Sequence, residues 1–150
     1  MAKAAKKSRF KIDNKKLTAL FGKVNLQVYK WYGADVKQKA ERSLKKPAKK
    51  ERGKHISLPG QPPISQTGTL KGSIRYEIDE MRGVVIGPEK YNWGNGAPKV
   101  LEYGGKSTNK FKSKKKPTKI AARPFMKPAQ EKVNKTLPDK YRRAREKYWK

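Results

Sequence analysis

The chain has 150 residues and no cysteine, enough for one ordinary domain and with nothing to form a disulfide, which fits a reducing compartment. Forty basic residues against twelve acidic ones leave a formal charge of +28, so self-repulsion opposes compaction and a polyanion or an acidic protein surface is expected as a partner. Only 34% of residues are hydrophobic, which implies a small core, long tails and burial supplied by oligomerisation, and no apolar run approaches the roughly 18 residues of a membrane span.

Residues 1–12 read as a basic tail, and Met1 to Arg9 has no apolar stretch behind it, so neither secretion nor a membrane anchor is expected. Asp13 is placed as the N-cap of a long helix. Beyond it apolar residues recur in steps of three and four at Leu17, Leu20, Phe21, Val24, Val28, Trp31, Tyr32, Val36, Ala40 and Leu44, one continuous stripe whose aromatics are expected in the core. Gly22 and Gly33 interrupt the stripe at a cost of about 1 kcal/mol each relative to alanine, which implies close packing or a bend at both.

The chain then turns basic, and Pro47 and Gly53 argue against continued helix, leaving a basic loop over 45–57. Leu58 to Leu70 contains three prolines and two glycines and reads as a rigid, extended connection, of which Pro59 to Gly68 is expected to lie on a neighbouring subunit or on its own sheet. From Ser73 to Asp79, Ile74, Tyr76 and Ile78 alternate with Arg75, Glu77 and Asp79, the pattern of a half-buried strand. Gly83–Gly87 follows after a short turn, and the two strands predict an antiparallel hairpin.

Tyr91 to Pro98 reads as a loop, Val100 to Tyr103 as a short third element stopped by Gly104-Gly105, and the basic stretch 106–119 as a mobile loop. Ile120 to Arg123 is expected as a short strand. Pro124 is placed in the first turn of a helix over Phe125 to Thr136, which Pro138 ends, and residues 138–150 form a basic amphipathic helical extension with Tyr141, Ala144, Tyr148 and Trp149 on one side. The expected fold class is α+β, a long N-terminal helix packed on a small, mostly antiparallel sheet with C-terminal helices, and one core is expected to unite Phe125, Leu101, Ile74 and Val85 with the stripe.

Catalytic patterns are missing. His55 is the only histidine and lies in a basic loop, Asp79 and Glu80 are neighbours at a turn, and Gly94-Asn-Gly96 lacks the Lys-Ser/Thr pair of a phosphate loop. No enzyme activity, catalytic residue, metal site or cofactor is expected.

Three stretches resemble the neck or tail-completion proteins of tailed bacteriophages, also described as head-to-tail joining or minor tail proteins. The first is Pro59, Gly60, Pro62 and Pro63 leading into Thr67, Gly68, Leu70 and Ser73. The second is Glu102, Tyr103 and Gly104, and the third Arg123, Pro124, Phe125 and Pro128. The resemblance covers residues 13–137 and implies a structural virion protein, assembled in the host cytoplasm, that closes a homo-oligomeric ring, commonly a hexamer, between head connector and tail. Its implied partners are other copies of itself, the connector or adaptor, and the tail tube or tail terminator. The chain departs from the family pattern in the lysine-rich insertion Lys106 to Lys119 and the basic extension Lys140 to Lys150. The residues expected to meet packaged double-stranded DNA or an acidic partner are Lys45, Lys46, Lys49, Lys50, Arg52, Lys106, Lys110, Lys112, Lys114, Lys115, Lys116, Lys119, Arg142, Arg143 and Arg145. A stand-alone basic nucleic-acid-binding protein, of ribosomal or nucleoid type, is the competing reading.

Overall fold

Asn14–Ser43 forms a single helix, α1, in the computed structural model, which describes residues 14–45, 57–65, 67–79, 83–89, 97–107 and 118–149. Asp13, read as the N-cap of α1, lies outside these residues. Along α1 the predicted stripe turns inward from Val24 onward: Val24, Val28, Val36, Ala40 and, just past the helix, Leu44 are buried. Gly68, at φ 82°, introduces a five-residue helical turn, α2 (Thr69–Ser73), and not a direct strand entry. The backbone then extends into β1 (Ile74–Asp79) and returns as β2 (Gly83–Pro88).

β1 and β2 are antiparallel, with Ile74 opposite Pro88, Tyr76 opposite Ile86 and Ile78 opposite Val84. Because side chains alternate across a sheet, that register puts Val84 and Ile86 on the α1 side and Val85, opposite Glu77, on the outer side. Val85 is accordingly 61% exposed and does not join the core, contrary to the expectation from sequence. Ile86 takes its place.

The third element is a short helix, α3 (Ala97–Tyr103), which begins inside the stretch expected to be loop. Two strands, β3 (Gly105–Ser107) and β4 (Thr118–Ile120), pair antiparallel at the two ends of the basic stretch 106–119, so those ends are ordered. The strand expected over Ile120 to Arg123 lies two residues earlier. Two helices complete the fold, α4 (Met126–Asn134) and α5 (Leu137–Tyr148), and Pro138 stands in the first turn of α5 and does not terminate α4.

Two apolar clusters share α1. Its C-terminal half packs Val36, Ala40 and Leu44 against Leu70, Ile74, Phe125, Ala129 and Val133, with Tyr32 and Leu101 half-buried at the margin. Its N-terminal half packs Val24 and Val28 against Ala144 of α5, flanked by Trp31, Leu137 and Tyr148. Polar contacts bind the same helices: Asp35 pairs with Lys140, and the Tyr32 hydroxyl donates to Asn134 Oδ1 at 2.7 Å. Phe21 departs from expectation, lying 46% exposed with its ring edge-to-face against Trp149, centroids 5.7 Å apart.

Candidate functional site

The N-terminus of α4 presents a problem that local sequence does not solve. A helix leaves its first four N–H groups without intrahelical partners, and Phe125 at the N-cap position has no side chain to accept from them. The acceptor comes from α3. Glu102, 8% exposed, receives the N–H of Phe125 at 2.8 Å and of Met126 at 3.0 Å on Oε2, and that of Lys127 at 2.8 Å on Oε1. The fourth residue of the turn is Pro128, which has no N–H. All four positions are thereby satisfied, and the carboxylate sits at the positive end of the helix dipole. Pro124, placed in the first turn from sequence, precedes the cap instead.

Gly60, Gly104 and Arg123 meet at the same junction, whereas Tyr103 is exposed and Thr67 and Gly68 lie at the start of α2. Arg123 N–H donates to Leu101 O at 2.6 Å, the Arg123 Nε to Ser57 O at 2.9 Å, and Gly60 N–H to Ala122 O at 2.9 Å. Gly104 has φ 76°, and a Cβ built there would stand 3.1 Å from Ala122 N and 3.2 Å from Ile120 O, so its lack of a side chain serves both the turn and the close approach. The proline segment lies on its own chain, against residues 122–123 and the end of α1, where Ser65 N–H reaches Lys45 O at 3.0 Å. Pro63, Ser57 and Ser65 are buried here, and the hydroxyls of both serines have no partner among the described residues.

From the junction projects the basic hairpin β3–β4. Its register places Lys106 directly opposite Lys119, both exposed. Like charges facing each other across a strand pair are destabilising, so this arrangement is one an anion would relieve. The connecting residues 108–117 carry Lys110, Lys112, Lys114, Lys115 and Lys116, which lie outside the described residues, as do Lys46, Lys49, Lys50 and Arg52. Lys45 is exposed at the end of α1, and Arg142, Arg143 and Arg145 are exposed on α5, where Arg142 meets Asp139 at 3.2 Å. Among the described basic candidates, Lys106 and Lys119 sit on the β3–β4 hairpin and Arg142, Arg143 and Arg145 on α5.

Sequence reasoning placed Glu102 in a motif without assigning it a task. The signal was the helix start itself, Arg123-Pro-Phe-Met-Lys, which offers no Ser, Thr, Asp or Asn as a local cap and so requires an acceptor from elsewhere. Among the described residues no group of His, Asp or Glu side chains is arranged to hold a metal, and no helix is long and apolar enough to cross a membrane. Neither the family models, nor the curated proteins, nor the solved structures compared with this chain contain a match.

Proposed function

We propose that the chain is a structural virion protein of a tailed bacteriophage, a neck or tail-completion subunit that forms a ring at the head-to-tail junction and turns its basic hairpin toward DNA. One observation carries the reading. Parts of the three stretches, separated by tens of residues, meet at one junction: Glu102 accepts from the start of α4, Arg123 N–H donates to Leu101 O, Gly60 N–H donates to Ala122 O, and Gly104 lies against Ala122. Their meeting at one place supports reading them together, as parts of one architecture. A charge of +28 gives such a ring a sequence-independent attraction to phosphates. The test is the oligomeric state of nuclease-treated protein by native mass spectrometry and electron microscopy. A closed ring of fixed stoichiometry is expected, and a monomer that associates only when DNA is added overturns the reading.

That second outcome would fit a stand-alone nucleic-acid-binding protein. Two observations favour it. Lys106 faces Lys119, and Phe21 and Trp149, 46% and 49% exposed, leave aromatic surface beside the basic helix α5 where bases could stack.

A further inference from the structure

An open groove of about 430 Å³ runs along the first half of α1 where it passes the end of the β1–β2 hairpin, lined by Ala19, Gly22, Leu26, Tyr29 and Ile78 with Lys23 at its side. Gly22 forms part of its wall. Of the two glycines in α1, Gly33 has a partner that requires it, but a Cβ at Gly22 would meet no described atom within 4 Å. Glycine is the poorest helix former after proline, so its place in mid-helix calls for a backbone that something approaches closely. Nothing in the subunit's described packing makes that approach.

The hairpin offers a complementary surface. Residues 74–89 carry Glu77, Asp79, Glu80 and Glu89 against Arg75 and Arg82, a net of −2 in a chain of +28. Its outer face presents Val85, 61% exposed, directly across from exposed Glu77. The groove and this outer face lie on different parts of the subunit, and a contact between two such unlike patches is heterologous, the type that propagates around a ring.

Resting on the ring reading above, we infer that the groove at Gly22 receives the outer face of the β1–β2 hairpin of a second copy of this chain, Val85 entering beside the Gly22 backbone and Glu77 meeting Lys23. The contact joins apolar to apolar surface and the acidic element of the chain to a basic one. It also explains a helix glycine that no described atom of its own subunit approaches within 4 Å of where its Cβ would stand.

The experiment measures ring assembly and thermal stability of four full-length variants, G22L, V85D, E77K and K23E, beside the parent and the double variant E77K/K23E. G22L fills the groove while improving helix propensity, so its melting temperature should equal or exceed the parent's while its assembly constant weakens at least about tenfold. V85D, E77K and K23E change exposed positions and should fold normally yet assemble at least about tenfold more weakly, with the charge-swapped double variant recovering assembly. If the parent forms rings and G22L and V85D form them equally well, the contact is wrong while the ring reading stands. A parent that forms no ring removes both.

Discussion

The ring of Tyr76 on β1 lies flat against the backbone of Gly33 on α1, so close that a Cβ at residue 33 would stand 2.4 Å from Cδ2 and 2.8 Å from Cγ. This contact sets the distance between helix and hairpin. The intrinsic helix preference of alanine over glycine, about 1 kcal/mol, therefore works in the opposite direction from packing at this site. Gly33→Ala should destabilise the protein by roughly 1–3 kcal/mol net, because the ring must leave its position or the strand must move. Denaturant unfolding measures it, and a variant as stable as the parent would show that the hairpin is not seated on α1 in this way. Combining Gly33→Ala with Tyr76→Ala should cost less than the two changes added separately.

Glu102 makes the next prediction. Replacing it with Gln keeps the shape but substitutes an NH2 donor for one of the two oxygens that accept from Phe125, Met126 and Lys127. The weaker, uncharged acceptor and the unpaired donor left behind should cost about 2–4 kcal/mol. Glu102→Asp, one methylene shorter, should recover only part of this. Amide hydrogen exchange would localise the effect, with Met126 and Lys127 losing protection first; unchanged exchange there would contradict the capping role.

Phe125 and Val85 form a matched pair of tests. Phe125 is 1% exposed among Leu44, Ile74 and Val133, and truncation to Ala should cost roughly 3–5 kcal/mol. Val85→Ala should stay within about 0.5 kcal/mol, as surface substitutions do. Equal losses at the two positions would reverse the assigned face of β2.

At the basic hairpin, stability and binding should move in opposite directions. Lys119→Glu turns a like-charge cross-strand pair with Lys106 into an opposite-charge one, which should stabilise the hairpin by up to about 1 kcal/mol. If the pair faces phosphates, the same change should lower the slope of log affinity for duplex DNA against log salt by about 0.9 for each phosphate that is no longer neutralised. The slope is read from binding isotherms over a salt series. No change in it would remove Lys106 and Lys119 from the DNA-facing surface.

Alkaline titration offers a check on the α1–α5 packing. Partial burial, in a residue still 38% exposed, and secondarily the neighbouring Tyr29 push the Tyr141 hydroxyl above the ordinary phenol range. The folded state thus holds this proton more tightly than the unfolded chain, so the contribution to stability is present below the unfolded value near 10 and is lost as pH rises through the folded one. Tyr141→Phe should remove the late-titrating phenol from the ultraviolet titration curve. A curve that keeps its late component would assign it to another tyrosine.

Sequence periodicity revealed α1 because apolar residues at three- and four-residue steps can share only one helical face, and it revealed β1 because Ile74, Tyr76 and Ile78 alternate with charged residues. It could not phase β2, where Val84, Val85 and Ile86 are all apolar; the register with β1 decides which of them faces inward. Phe21 continued the apolar spacing yet lies half outside, since α5 covers this end of α1 only with Ala144 and the residues around it. The site residues were visible as motifs, but their work was not, because Glu102 acts on backbone groups 23 to 25 positions away and such a bond leaves no local period. α3, seven residues long, is too short for its periodicity to separate it from a strand.

The junction at Glu102 also separates the protein's frame from its charge. Lys45 and Ser65 are tied together at one side of the connection that carries the first basic run, and Gly105–Ser107 and Thr118–Ile120 are paired at the base of the second. With both ends of each insert clamped, the entropy of closing it grows only slowly with its length, by about 0.6 kcal/mol per doubling. Lysines can therefore be added, deleted or exchanged between these anchor points with little effect on the fold, which one buried carboxylate at the start of α4 holds in place.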